Sequence, residues 1–206
     1  MDLNSPSFET RLQKYVRLGV RVGVNLQPGQ TLVIQAPTTA LSLVRLAAKD
    51  AYELGARHVH VEWNDDELTR IRHELAPEES FGDGPELRAM NYDRLIERDA
   101  AFLSFVSANP DLLAGIDPDR VQKMAKAMRS AMSNFYDGVR KDKFSWSILA
   151  VASEVWARKM FPDASPEEGV SKLWDAIFAA NRIGEEDPVA AWKAHLKKLE
   201  ERSAYL

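Results

Sequence analysis

The sequence predicts an α/β fold: an open, mostly parallel doubly wound sheet flanked by helices, with a helical C-terminal third. Two observations carry this prediction. Four short apolar runs have the length of buried strands, and segments with apolar residues at helical spacing separate them. Strands that alternate with helices along one chain are typical of a parallel sheet covered on both faces.

The N-terminal segment predicts a helix followed by a turn. Apolar residues recur at helical spacing from Phe8, after a Ser-Pro-Ser start that can cap a helix, and this helix is expected to end near Gly23. In the turn at residues 27–30, Pro28 presets φ for the second position and Gly29 supplies the positive φ of the third.

A strand, a helix and a second strand come next. Thr31–Ala36 is a short apolar run that predicts a buried strand, and residues 40–54 carry apolar side chains at helical period until Gly55. Residues 57–63 alternate between apolar and polar side chains, as in a strand with one buried face. Two strands joined through a helix are expected to lie parallel in one sheet.

The middle of the chain predicts two further strands among helices. Residues 66–75 have the pattern of a polar helix, residues 77–84 are typical of an exposed loop, and residues 90–96 predict a short helix. The apolar runs 100–107 and 144–151 are short enough to be strands. The sheet is therefore expected to have four strands.

Capping residues mark the remaining helices. Asp117 stands before a proline, which suits the first helical position, and this helix is expected to reach Gly138. Closer to the C terminus, Ser165 and Asp187 each precede a proline and open two more helices. The second of these is expected to continue to the end of the sequence at Leu206.

Composition excludes several classes of function. The chain has no cysteine, so disulfides, thiolate metal sites and a cysteine nucleophile are excluded, and any metal would need His, Asp or Glu. The formal net charge is −4 with both signs interspersed, which argues against a nucleic-acid partner. The sequence has no apolar run as long as a membrane span and no apolar run of the signal-peptide kind at its start, so we expect a cytoplasmic protein without a membrane partner.

Nucleotide binding and serine hydrolysis lack candidate residues. The turn after the first predicted strand contains none of the glycines that let backbone amides approach a phosphate, and no Walker-type loop occurs. A Gly-x-Ser-x-Gly elbow is also absent from the sequence.

One face of the strand at residues 57–63 carries metal-ligating side-chain types. Its apolar face is Val59, Val61 and Trp63, and its polar face is His58, His60 and Glu62. Imidazole and carboxylate suit zinc or similar ions. At ~3.3 Å per residue these ligands spread over about 13 Å, so all three reach one ion only if the strand distorts. The alternative is a polar sheet face or an edge strand packed against helix ends.

Polar residues also follow the predicted strands at their carboxyl ends, where open α/β sheets collect their ligands. These candidate residues are Thr38, Thr39, Asp65, Asp66 and Asn109. They either line a substrate cleft or cap the helices that follow, because Thr, Asp and Asn are preferred capping residues.

Several segments spread over nearly the whole chain form a specific combination. They are Tyr15–Val20, Gly23–Gln30, Ala51–Ala56, Val59–Asp65, Trp156–Pro162, Lys172–Phe178 and Asp187–Leu199. In these segments the sequence resembles the N-terminal domain of the metallo-aminopeptidases typified by aminopeptidase T, aminopeptidase S and PepS.

The resemblance implies an enzyme that removes N-terminal residues from peptides and is a homodimer when complete. In that family a following catalytic domain holds two divalent metal ions, zinc, cobalt or manganese, on Glu, His and Asp residues. No position of this sequence matches those ligands, so the resemblance assigns it no catalytic and no metal-binding residue. It implies that this chain binds no cofactor itself and is a non-catalytic scaffold that shapes access to the catalytic cavity.

We therefore expect residues 1–206 to form a single α/β domain, with a sheet-forming part at 1–152 and a helical part at 153–206. The alternative function belongs to another class. It is a standalone α/β module that binds a small ligand or a protein partner through the cleft at the carboxyl ends of the strands, without chemistry of its own.

Overall fold

The computed structural model describes Leu3 and residues 5–205, and a four-stranded parallel sheet lies at its centre. The strands are β1 (Thr31–Pro37), β2 (His58–Asn64), β3 (Ala101–Val106) and β4 (Trp146–Ala150). They lie in the order β2-β1-β3-β4, and each neighbouring pair is parallel. The four predicted apolar runs are these four strands, with small shifts at their ends, so the predicted parallel α/β sheet is confirmed.

The larger hydrophobic core covers one face of the sheet. It is formed by helices α1 (Pro6–Leu18), α2 (Leu41–Glu53) and α8 (Pro166–Ala180), with a π-helical segment at Gly19–Gly23. Alternate strand residues point into it, because successive side chains of a strand face opposite sides of the sheet. The strand residues buried there are Leu32, Ile34, Ala36, Ala101, Leu103, Phe105, Leu149 and the adjoining Val151.

A smaller core covers the other face. Helices α4 (Asp83–Ile96), α5 (Pro118–Ala131) and α6 (Ser133–Arg140) pack there. Its buried residues are Val33, Tyr92, Ala100, Phe102, Met132 and Phe144. Since helices cover both faces, the sheet is doubly wound as predicted.

Three further α-helices are α3 (Asp66–Leu75) after β2, and α7 (Glu154–Met160) and α9 (Pro188–Ser203) in the helical C-terminal third, and short 3₁₀ turns lie at Thr38–Ala40 and Glu78–Ser80. Among the helices formed by the described residues, none combines the length and apolar composition needed to cross a bilayer.

Capping follows the sequence closely. The side chains of the predicted caps Ser5, Asp117, Ser165 and Asp187 accept hydrogen bonds from backbone N–H groups in the first turns of their helices. The predicted turn at residues 27–30 is also present, with Gly29 at φ 86° and the Gln30 N–H donating to the Gln27 carbonyl at 3.2 Å.

Three predicted element boundaries were wrong. Helix α4 begins at Asp83, inside the predicted loop, because Pro85 falls in its first turn, where the missing N–H has no helical partner to lose. The helix predicted to reach Gly138 is divided at Met132, whose φ of −87° and ψ of 16° end α5 and begin α6, while its side chain enters the smaller core. Helix α9 ends at Ser203 instead of running on to the end of the sequence.

The predicted apolar face of β2 is only partly correct. Val59 and Val61 pack against the larger core, but the side chain of Trp63 is 43% exposed. β2 is an edge strand, and Trp63 stands next to its last residue, so the covering helices do not enclose it.

Candidate functional site

A row of polar side chains crosses the sheet on the face of the smaller core. Gln35 on β1 is in register with Glu62 on β2 and with Ser104 on β3, so the three residues lie side by side. The Ser104 hydroxyl donates to Oε1 of Gln35 at 3.1 Å. We call Glu62, Gln35 and Ser104 the polar row.

Helix α4 places two side chains over the polar row. The Tyr92 hydroxyl accepts a hydrogen bond from Nε2 of Gln35 and donates to Oε2 of Glu62 at 2.8 Å. Nε of Arg88, one helical turn earlier, lies 3.1 Å from the same carboxylate oxygen. The Glu62 carboxylate is therefore paired with the Arg88 guanidinium and accepts a hydrogen bond from the Tyr92 phenol.

Burial raises the pKa of the Tyr92 hydroxyl above its ordinary value, and the hydrogen bond from Gln35 opposes this shift. The neighbouring charge of Glu62 raises the pKa further, because a phenolate there would face a carboxylate. Tyr92 is thus a neutral hydrogen-bond donor over the whole physiological pH range.

The structure does not form the three-ligand metal face. Nε2 of His60 lies 3.8 Å from Oε1 of Glu62 and 3.4 Å from Nδ2 of Asn91, while His58 is exposed at the start of the strand. Within Leu3 and residues 5–205, no group of three or more His, Asp or Glu side chains is placed to hold a metal ion. Glu62 belongs to the polar row, as the alternative of a polar sheet face implies.

Beside the polar row, α3, α4 and α5 enclose a cleft of about 500 Å³. Val121, Met124 and Met128 of α5 give it an apolar wall, and Arg72 of α3 also lines it. Arg88 lines both the cleft and the polar row, so the two features form one continuous region.

Four of the five residues predicted at the carboxyl edge are hydrogen-bonded in pairs. The Thr38 hydroxyl donates to Oδ2 of Asp65 at 3.3 Å, and Nδ2 of Asn109 donates to Oδ2 of Asp66 at 2.8 Å. Thr39 is exposed in the short 3₁₀ turn that follows β1. These bonds connect the segments after β1, β2 and β3.

The capping interpretation of these residues holds for Asp65, whose Oδ1 accepts from the Leu68 N–H at 2.9 Å at the start of α3. It fails for the two threonines, because α2 begins after Ala40 without a side-chain cap. It also fails for Asn109, since α5 is capped by Asp117.

The sequence interpretation missed Gln35, Ser104, Tyr92 and Arg88. A signal for the first two was present, because each is a polar residue inside an otherwise apolar strand. Arg88 and Tyr92 share one face of α4, which begins at Asp83, whereas the predicted helix at residues 90–96 contained only Tyr92 and concealed their relation.

Comparisons with known proteins agree on one family. The family profile described as thermophilic metalloprotease (M29) matches residues 8–206. Aminopeptidase 2 of Geobacillus stearothermophilus is 47% identical over 199 residues, which are 97% of this chain and 48% of that protein. Aminopeptidase AmpS of Bacillus subtilis (strain 168) is 44% identical over 200 residues, which are 97% of this chain and 49% of that protein.

A solved structure gives the same result. Wild-type AmpT from Thermus thermophilus matches with a TM-score of 0.87 and 37% sequence identity, over 97% of this chain and 49% of that chain. The chain spans about half the length of the curated relatives that it matches. Since the family profile covers nearly the whole sequence, the chain belongs to the thermophilic metalloprotease family M29.

Proposed function

We propose that this chain is the N-terminal domain of a metal-dependent aminopeptidase, which removes N-terminal residues from peptides when complete. One observation carries the proposal: 97% of the chain matches relatives named aminopeptidases, yet it accounts for only 48% and 49% of their length. The remaining half of such a protein would supply the hydrolytic chemistry.

By itself the chain is a non-catalytic scaffold. The part of the chain that the structure describes contains no cluster of His, Asp and Glu side chains fit to hold a metal. Its residues therefore do not fit the two zinc, cobalt or manganese ions implied by the resemblance, and we assign those ions to the other half. No hydrolytic step is assigned to a residue of this chain.

The carboxyl edge of the sheet is the part of this domain that we propose to face the peptide substrate. The bonds of Thr38 with Asp65 and of Asp66 with Asn109 support this, because they hold three loops together as one polar surface beside the exposed Thr39. Such a surface can hydrogen-bond a peptide backbone and shape access to a catalytic cavity.

We further propose that residues 1–206 are a single domain, with the sheet in residues 1–152 and helices in 153–206. The complete enzyme is a cytoplasmic homodimer that acts on peptides and has neither nucleic-acid nor membrane partners. The interspersed charges and net charge of −4 support the exclusion of nucleic acid.

The test is a fusion of this chain to the second half of Aminopeptidase 2 of G. stearothermophilus. The fusion is expected to hydrolyse leucine p-nitroanilide when cobalt, zinc or manganese is supplied, and EDTA is expected to abolish this activity. This chain alone, assayed with the same metals, is expected to show no turnover above the blank.

The second half alone is the matched control for the scaffold role. If the second half alone hydrolyses leucine p-nitroanilide as fast as the fusion does, this domain does not shape the catalytic site. If the isolated 206-residue chain hydrolyses the substrate and EDTA abolishes this turnover, the metal ligands are in this chain and the non-catalytic assignment is wrong.

A further inference from the structure

We propose that the cleft between α3, α4 and α5 binds a small organic monoanion, a carboxylate with an apolar tail, and that Arg72 pairs with its carboxylate. This inference goes beyond the proposed function and does not depend on it. It rests on the charge of the cleft, its apolar wall and its volume.

The cleft has a positive charge without a counter-ion. Its lining residues include Arg72, His73 and Arg88 but no aspartate or glutamate, although the chain has 31 acidic residues. Arg88 is neutralised by Glu62 at 3.1 Å. Arg72 donates to the Phe81 carbonyl at 3.1 Å, and no described carboxylate forms an ion pair with it.

The position of Arg72 is unusual for a cation without a counter-ion. The residue is only partly exposed, and its guanidinium packs against Gly84, where an added Cβ would lie 3.0 Å from Nη1. Partial burial removes water from a charge, and this loss favours pairing with an anion. A bound carboxylate would restore the lost interactions.

The wall of the cleft fits an apolar tail. Val121, Met124 and Met128 lie on one side of α5 at helical spacing and line the cleft together with Leu113 and Pro85. Methionine side chains are flexible and adapt to ligands of different shape. The volume of about 500 Å³ lies within the usual range for small-molecule sites.

The geometry also favours a carboxylate over a doubly charged phosphate. One uncompensated guanidinium matches one negative charge, whereas a dianion would leave a second charge unpaired. The planar fork of a guanidinium pairs with both oxygens of a carboxylate. Asn64, which also lines the cleft, has a side-chain amide that can donate a further hydrogen bond.

Two probes that differ in one group test the inference on the 206-residue chain. N-acetyl-L-leucine has a carboxylate, and N-acetyl-L-leucinamide has a neutral amide in its place. Isothermal titration at low salt is expected to show the acid binding at least about tenfold more tightly than the amide, since a charge-assisted bond is lost. Equal affinity for both probes would overturn the proposal.

Three variants locate the site. Arg72→Gln removes the charge but keeps a polar side chain, and is expected to abolish the preference for the acid. Arg129 lies on the exposed surface of α5, so Arg129→Gln is the matched control and is expected to retain the preference for the acid. Ala125→Leu fills the cleft without changing its charge and is expected to weaken the binding of both probes.

The variants can also refute the inference. If Arg72→Gln retains the full preference for the acid, the carboxylate binds elsewhere on the protein. If Arg72→Gln fails to fold, as judged by circular dichroism, Ala125→Leu decides: unchanged binding of both probes would exclude the cleft.

Discussion

The two faces of the sheet use alternate residues of the same strands, yet they differ in chemistry. One face is covered by the larger core, which is apolar. In it Phe8, Tyr15, Trp174 and Phe178 form an aromatic cluster with ring centroids 5.2–6.1 Å apart. The other face is covered by the smaller core, but it also holds the polar row and adjoins the cleft lined by Arg72.

This difference places most of the apolar burial on one side of the strands and a polar network beside a cleft on the other. Strand residues that point into the larger core bury apolar surface and stabilise the domain. Gln35, Glu62 and Ser104 point to the other face. There Tyr92 of α4 bonds Gln35 and Glu62, the Ser104 hydroxyl bonds Gln35, and α3, α4 and α5 leave a cleft. A polar network can be tolerated on one face because the opposite face contributes most of the apolar burial.

The largest expected loss of stability comes from a substitution in the larger core. Phe178→Ala removes a fully buried ring that contacts Phe8, Tyr15 and Trp174, and is expected to lower the free energy of unfolding by about 3–5 kcal/mol. Urea unfolding followed by circular dichroism measures this loss. Phe178→Leu, which retains more apolar volume, is expected to lose less. A loss below about 1 kcal/mol for Phe178→Ala would contradict the stabilising role of this cluster.

A smaller loss is expected at Gly138 on the other face. A methyl group at Gly138 would overlap the ring of Phe144, which is fixed in the smaller core, so Gly138→Ala is expected to destabilise the protein by about 1–3 kcal/mol. Gly19→Ala is the matched variant on the side of the larger core. Its methyl would meet the flexible side chain of Leu149, so a smaller loss is expected. Thermal unfolding of both variants ranks them, and the reverse order would contradict this packing argument.

Tyr92→Phe tests the polar row. The change removes one hydrogen-bond partner from Gln35 and one from Glu62, and is expected to lower the free energy of unfolding at pH 7 by about 1–2 kcal/mol. Glu62 keeps its ion pair with Arg88, which limits the loss. A variant as stable as the wild type would show that the polar row adds nothing to stability.

The same variant has a defined pH dependence. Burial keeps the pKa of Tyr92 above its ordinary value in the folded protein, whereas the unfolded chain releases this proton near pH 10. The contribution of Tyr92 is therefore complete below about pH 10 and decreases by ~1.4 kcal/mol per pH unit above it. Urea unfolding between pH 8 and 11 is expected to show a shallower decline for Tyr92→Phe than for wild type. Parallel declines would contradict the assignment.

The smallest effect is expected at the solvent side of α8. The hydrogen bond from Lys172, at 2.7 Å, lowers the pKa of the exposed Glu168 carboxyl, and the charge of Lys172 adds to this shift. Lys172→Ala is expected to return the pKa of Glu168 toward its ordinary value, as followed by NMR titration, without a measurable change in melting temperature. An unchanged pKa would show that this ion pair does not form in solution.

Much of the fold could be predicted because its signals are local. Thr31–Ala36 is apolar because both of its faces are covered, and Asp117, Ser165 and Asp187 cap helices through bonds that span only two or three residues. Element boundaries were less predictable. Met132 ends one helix and begins another, and its side chain is buried in the smaller core, a tertiary contact that local signals do not contain.

The candidate site was predictable only in part. Thr38, Asp65, Asp66 and Asn109 could be predicted as neighbours from the sequence, because parallel strands end at a common edge of the sheet. The cleft was not predictable, because α3, α4 and α5 enclose it from segments that lie far apart in the sequence.

The sequence by itself determined the four strand segments and most of the helices, that the strands are parallel, and the family to which the resemblance pointed. Hydrophobic periodicity and capping act between near neighbours, so the residues alone are sufficient to specify them. Only the tertiary structure decided that Gln35, Glu62 and Ser104 form one row beneath Tyr92, and that Arg72 lines a cleft without a counter-ion. Those relations depend on strand order and helix packing, which bring together side chains that the sequence separates.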